Sequence, residues 1–326
     1  MKDLLMNKKR DYYICIIITI VLAFAIFIKD KYILDIFITT LYICIIASAW
    51  NIMCGYTGLI SLGHAVFAGL GQYTSTILFL KFSVSPWIGM FAGAIIAMFF
   101  AFFIGVLTLR LKHYFFTLAT IALGTIVQVL AIKFANLTGG SVGLSIPFRP
   151  SLGNMMFKEY QSYYILFLFL LFTVLMVTAY INRSRLGMSL IAIREDEVAA
   201  SSLGVNLLKS KVIALCISAF FTSIAGTFFV QYSLFVDPEG AFNLELSIKA
   251  AMLSLIGGAG TIFGPLLGGA ILGPIETFLR GWLGSTFSGA YLIIYGILII
   301  FVVLVMPNGI LGAITDTMYN KMKKQK

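Results

Sequence analysis

Long apolar runs separated by short polar breaks dominate the chain, at 12–28, 32–53, 58–80, 87–109, 114–134, 162–181, 212–235, 246–259, 264–282 and 287–306. Runs of about 18 or more residues with few charges predict membrane-spanning helices, because a hydrocarbon core about 30 Å thick must be crossed by backbone whose polar groups are paired internally. A transmembrane β-barrel would alternate apolar and polar residues with period two, and no such alternation appears. The pattern predicts an all-α, polytopic transmembrane helix bundle of about 8 to 10 spans, forming a single domain over 1–326. An even number of spans places both basic termini on one side. Three runs are irregular: 246–259 is short, 264–282 opens with Gly264 and Pro265, and 58–80 opens GLISLGHAVFAGLG. Broken or re-entrant helices are expected there.

Two polar segments interrupt this pattern. The segment 182–211, NRSRLGMSLIAIREDEVAASSLGVNLLKSK, carries charges and helical periodicity suited to a cytoplasmic docking loop. Over 190–203, helical phasing sets Leu190, Ile193, Glu197, Ala200 and Ser201 near one face, with Ala199, Ala200 and Gly204 as small contacts. Such a helix along the membrane surface presents its small-residue face to a groove on a partner, flanked by Arg185, Arg194, Lys209 and Lys211; a solvated linker is the alternative. The other long segment, 135–161, reads as an irregular external loop, rich in Asn, Gly and Pro. It serves either as a docking or gating element or as plain surface.

Composition agrees with the pattern: 60% of residues are hydrophobic, 11% are charged and the mean hydropathy is +1.00, against roughly 25% charged in soluble domains. A net charge of +10 would suit a nucleic-acid partner, so its distribution decides. Lys and Arg number four in the N-terminal tail, two at Arg110 and Lys112, five from Arg183 to Lys211 and four from Lys321 to Lys326, fifteen of 23. That clustering follows the positive-inside rule, so the basicity reflects orientation and implies no nucleic acid. The N-terminal MKDLLMNKKRD precedes its apolar run as a secretory signal would, but no small-residue cleavage site follows, so a retained first span is expected. The four cysteines, Cys15, Cys44, Cys54 and Cys216, lie in or beside apolar runs without ligand spacing and read as small packing groups.

No enzyme signature is present. The glycines at 257–264 are followed by Pro265 where a phosphate-binding loop needs Lys then Ser or Thr. The two histidines, His64 and His113, have no acidic or Cys neighbour at catalytic or metal-ligand spacing, and His64 reads as a packed or hydrogen-bonding group. Glu245 with Lys249, and Glu276 with Arg280, place an acid four residues before a base on one helix face, as structural pairs or as part of a transport path. Isolated intramembrane carboxylates of the ion-coupled kind are otherwise missing. Two glycine-rich stretches, 55–71 and 257–273, hint at an internal duplication. Within the second, Gly260, Gly264 and Gly268 share one expected helix face and Gly269 and Gly273 a neighbouring row, for close helix packing or for lining a substrate path. Asn51, Gln72 and Gln128 are the polar candidates for such a path.

Four blocks in order then carry a resemblance: 51–74 (NIMCGYTGLISLGHAVFAGLGQYT), 137–144 (LTGGSVGL), 193–226 (IREDEVAASSLGVNLLKSKVIALCISAFFTSIAG) and 247–271 (SIKAAMLSLIGGAGTIFGPLLGGAI). Together they resemble the permease subunits of branched-chain amino acid ABC importers, the LivH/LivM type and most like LivM. The resemblance implies a multi-pass permease of a bacterial cytoplasmic (inner) membrane, neither an enzyme nor dependent on a cofactor. It also implies a second homologous permease, two cytoplasmic ATP-binding subunits and an extracytoplasmic solute-binding protein as partners. The loop with Arg194, Glu195, Asp196, Glu197, Ala199, Ala200 and Gly204 corresponds to the family's ATPase-coupling region. The general importer signature, Glu-Ala-Ala then three residues and Gly, is met by Ala199, Ala200 and Gly204, but Val198 replaces its acid and Glu197 lies one residue earlier. Urea, short amides or another small solute are alternative cargoes, and an ion-coupled secondary transporter is the alternative machine.

Overall fold

A computed structural model describes residues 8–111 and 113–283, with scattered positions between 293 and 313 beyond them. The apolar run expected at 287–306 and the basic tail after it fall largely outside the described residues. Each earlier run forms a helix. α1 spans Lys8–Ala23 and tightens into a 3-10 turn at Phe24–Phe27. α2, Lys31–Trp50, continues into one π turn at Asn51–Gly55. α3 spans His64–Phe82, α4 Pro86–Thr108, α5 His113–Lys133 and α6 Tyr160–Arg183. Two short helices follow, α7 at Arg185–Glu195 and α8 at Glu197–Ser202. α9 spans Leu207–Ser233, α10 Leu244–Gly258 and α11 Gly264–Leu283. Among the described residues, five helical stretches, in α2, α4, α5, α6 and α9, are long and apolar enough to cross a membrane. The fold is the expected all-α polytopic bundle.

Local chemistry sets the helix starts. The Asp30 carboxylate accepts the Tyr32 N–H at 2.8 Å and opens α2; Asn206 and Asn243 cap α9 and α10 in the same way, and Pro86 opens α4. The helices run alternately between two ends of the bundle. One, the near end, gathers residues 51–63, 109–111, 184–206 and 259–263; the other, the far end, gathers 28–30, 83–85, 134–159 and 234–243. Asp11, early in α1, pairs with Arg183 at the near end.

α9 is the central element, packed on α2, α3 and α4. Glycines permit the approach: a Cβ on Gly226 would stand 2.2 Å from the Ala68 carbonyl oxygen, and one on Gly71 2.1 Å from that of Ser223. Lipid chains are as apolar as these side chains, so association rests on such close backbone contact and on interhelical hydrogen bonds. α11 packs antiparallel to α10 and α2. Gly264 and Gly268 face α10 backbone, whereas Gly269 and Gly273 face Cys44 and Thr40 of α2, so the two expected glycine rows meet two different helices. Gly260 is the correction: it lies in the turn before α11, at φ +76°, and belongs to no helix face.

The expected external loop, 135–161, is built rather than slack. Its Leu144–Ser145 strand (β1) pairs antiparallel with Phe235–Val236 (β2), which joins it to the turn between α9 and α10. α5 is the most exposed of the long helices, with little of its apolar surface covered by the rest of the chain.

Candidate coupling surface and substrate path

The loop after α6 turns sharply. Ser184 caps α7 by accepting the Gly187 N–H at 3.3 Å, and Gly187 lies so close to the Ile181 carbonyl that a Cβ would reach within 2.1 Å of it. α7 then buries Leu190 and Ile193. The single helix expected over 190–203 is two, because Asp196 adopts an extended backbone and its carboxylate accepts the N–H groups of Val198 and Ala199 at 2.8 and 3.0 Å. An aspartate offering that alternative to a helix carbonyl stops one helix and starts the next.

The break leaves Ala200 on the buried side with Leu190 and Ile193. Ala200 is 2% exposed and faces the protein, so it is not part of the outer face on which the phasing placed it. Glu197 reaches back to Lys211, 2.7 Å away; that lysine is itself buried, so the pair pins α8 to the first turns of α9. Gly204, at φ +84°, closes α8 in the left-handed conformation that glycine adopts without strain, and Val205 N–H donates to the Ala200 carbonyl at 3.1 Å. What α8 turns outward is Ala199 and Ser201 together with Val198 at 77% and Leu203 at 83% exposure. Glu195, Arg185 and Lys209 are exposed around them. Sequence reasoning missed Val198 and Leu203; a helix started at Asp196 would have phased them outward.

Arg194 points the other way. Its Nη1 donates to the Gly55 carbonyl at 3.1 Å and, at 3.5 Å, approaches that of Ala259. It therefore spans the π turn after α2 and the break between α10 and α11. A Cβ on Gly260 would stand 2.3 Å from that nitrogen. Asn51 ties the same two breaks, donating through Nδ2 to the Thr261 carbonyl at 2.8 Å and accepting the Gly260 N–H at 2.7 Å. Thr261 Oγ1 donates to the Gly258 carbonyl at 2.6 Å and accepts the Gly264 N–H at 3.0 Å. Asn51, Gly260 and Gly264 are thus brought together as a clasp between helix breaks.

Backbone freed by the irregular stretch 58–63 is satisfied by side chains, as burial without water requires. Trp50 Nε1 donates to the Ser61 carbonyl at 2.7 Å, Thr117 Oγ1 to that of Ile60 at 2.7 Å, and Leu62 N–H donates to Thr120 Oγ1 at 3.1 Å. His64 opens α3 with Nε2 2.8 Å from Ser218 Oγ, which donates to the Ala49 carbonyl at 2.6 Å. Its ring thus links α3 to α9 by hydrogen bonding.

The remaining polar candidates lie elsewhere. Gln72, on α3, borders a cavity that reaches from the far end between α2, α3, α9 and α10. Gln128, on exposed α5, is half-buried and does not border that cavity. Lys249 on α10 contacts Glu276 of α11 at 2.5 Å and Glu245 at 3.7 Å, so Glu276 pairs across helices; the Arg280 side chain expected as its partner lies outside the described residues.

With this geometry in hand, comparison with known proteins is decisive. Residues 32–303 match the model of the family described as branched-chain amino acid transport system / permease component. The chain belongs to this permease family. LivM of Escherichia coli (strain K12), named a high-affinity branched-chain amino acid transport system permease protein, is 26% identical over 93% of this chain and 75% of its own length. LivH of the same organism, with the same descriptive name, is 25% identical over 82% of this chain and 90% of its own length. BraD of Pseudomonas aeruginosa, also so named, is 32% identical over 49% of this chain and 53% of its own length. Similarity to both LivM and LivH links this chain to a family of paired permeases, and its apolar helices mark it as a multi-pass membrane protein.

Proposed function

We propose that the chain is the LivM-like permease subunit of an ABC importer for branched-chain amino acids in a bacterial cytoplasmic membrane. The near end, where the basic loop 182–211 lies, faces the cytosol, and both termini lie on that side. One member of a pair of cytoplasmic ATP-binding subunits docks on the outward edge of α7 and α8, with Val198 and Leu203 as apolar anchors and Glu195, Arg185 and Lys209 at the rim. Two large apolar side chains more than three-quarters exposed on a polar loop favour a protein partner over water. A second, homologous permease covers the apolar surface of α5, which brings Gln128 towards the path between the two subunits. An extracytoplasmic solute-binding protein delivers cargo to the far end, where the paired loops 135–161 and 234–243 lie.

The observation that carries this reading is the bridge at Arg194, within a chain whose family transports these amino acids. Closure of the ATP-binding subunits displaces α8 and α7. Arg194 carries that displacement to Gly55 and Ala259, two places where regular helix is interrupted. Rigid spans on either side convert it into opening or sealing of the path. The chain supplies no catalysis; energy enters through contact. Uptake of labelled leucine, isoleucine and valine by cells expressing the full transport system, with and without this chain, tests the reading. Uptake that depends on the chain and is competed by branched-chain amino acids but not by urea supports it; uptake unaffected by its loss refutes it.

A further inference from the structure

The cavity at the far end has a volume of about 550 Å³ and reaches to mid-bundle, because Tyr42 and Gln72 on its wall lie halfway along α2 and α3. That is the size of a small-molecule site. One wall is apolar, formed by Tyr42, Ile43, Phe229 and Leu246, with the Tyr42 and Phe229 rings stacked 4.2 Å apart. Polar groups line the rest: Gln72, Asp237 and Asn243, with Glu245 and Lys249 on α10. A pocket with one apolar face and a carboxylate beside an ammonium is complementary to a zwitterion bearing an aliphatic side chain.

The two contacts of Lys249 are unequal. Glu276 is 5% exposed, lies 2.5 Å from Nζ through Oε1, and leaves its second oxygen, Oε2, buried without a hydrogen-bond partner. A buried carboxylate of this kind fixes the lysine in place, since breaking a buried pair leaves an uncompensated partner. Glu245 is different: its side chain is 57% exposed and its oxygen is 3.7 Å away. An exposed, loose pair is held weakly and exchanges readily. We infer that Lys249 and Glu245 part to receive a zwitterionic amino acid, Lys249 binding the carboxylate and Glu245 the ammonium, while Tyr42, Ile43, Phe229 and Leu246 contact the aliphatic side chain. Glu276 is the positioning residue that keeps Lys249 in place. The inference rests on the transport function proposed above and names where on this chain the cargo first docks. Exchange of one weak pair for two gives modest affinity, as a conduit that must also release its cargo requires.

The test uses the complete assembly of both permeases, the ATP-binding subunits and the binding protein in proteoliposomes, reading leucine uptake and ATP hydrolysis together. E245Q alters an exposed side chain and leaves the bundle intact. It is expected to lower uptake roughly three- to tenfold, the range for one ordinary hydrogen bond and fitting for a carboxylate this exposed, while ATP hydrolysis persists. K249Q/E276Q removes the buried carboxylate and its partly buried partner at once, so no lone buried charge remains to unfold the protein. It is expected to assemble and hydrolyse ATP with uptake reduced at least about tenfold. Wild-type uptake in E245Q, or in K249Q/E276Q, overturns the inference and leaves the pair as packing between α10 and α11. Failure of the wild-type assembly to carry leucine removes the proposed function itself, a result separable from failure of the variants alone.

Discussion

Replacing Arg194 tests how force passes from the loop to the spans. Arg194→Ala removes the donor that joins α7 to the carbonyl of Gly55, at 3.1 Å, and approaches that of Ala259, at 3.5 Å. A hydrogen bond from a charged donor contributes about 1.5–3 kcal/mol, and the exposure of this side chain favours the lower end. The second contact is long and adds little. The expected cost is therefore about 1–2 kcal/mol, small beside the roughly 5–15 kcal/mol that folded domains hold in reserve. The variant should insert, assemble and bind nucleotide. The same 1–2 kcal/mol, taken from the link between two conformations, changes their coupling by roughly five- to thirtyfold. Reconstituted complexes should hydrolyse ATP near the wild-type rate while leucine transported per ATP falls about tenfold. Arg194→Lys, a point charge with no planar fork, should fall between. A transport-to-hydrolysis ratio for Arg194→Ala equal to wild type would refute the role assigned to the bridge.

Other substitutions separate docking from folding. Val198→Asp with Leu203→Asp changes two side chains that are 77% and 83% exposed, so the permease should express normally and lose co-purification of the ATP-binding subunits. Ala200→Arg acts inside the fold: at 2% exposure it has no room, and it should displace α8 and cost about 2–4 kcal/mol, seen as a lower unfolding temperature as well as lost transport. Glu197→Ala strands the buried Lys211, and with Glu197 half-exposed a loss of about 1–3 kcal/mol is expected, relieved by Lys211→Met in the same chain. Gly268→Leu places a side chain where a Cβ would already lie 2.1 Å from the Leu253 carbonyl oxygen, so α10 and α11 should separate and the variant should be recovered at low yield in detergent.

The spans were legible because burial in lipid leaves little freedom: a run of some 20 apolar residues without charge has one stable conformation there. The irregular start at Gly58 to Gly63 was legible because two glycines and a serine among six residues are poor helix formers. The loop was legible as a polar, partly helical break between spans, but which of its side chains turn outward was not. Asp196 is the one residue of the N-capping type among Glu195, Asp196 and Glu197, but the helical periodicity runs on through it, so the break and the inward turn of Ala200 emerge only in the fold. Arg194 reads as one more surface cation until the breaks at Gly55 and Ala259 are seen to lie beside it, across separations of 139 and 65 residues. The Lys249–Glu276 pair was hidden likewise: sequence spacing sees neighbours one turn away, whereas this contact joins two helices. Gly260 fitted a four-residue glycine row that the chain begins only at Gly264.

The central claim is that this permease moves branched-chain amino acids only when partner subunits hydrolyse ATP against the loop carrying α7 and α8. Leucine uptake into proteoliposomes tests it most directly, comparing the complete assembly supplied with ATP, the same assembly without ATP but with an imposed proton or sodium gradient, and the permease pair alone. Accumulation in the first case only is the predicted result. Accumulation driven by an ion gradient, or by the permeases without the ATP-binding subunits, would contradict the account.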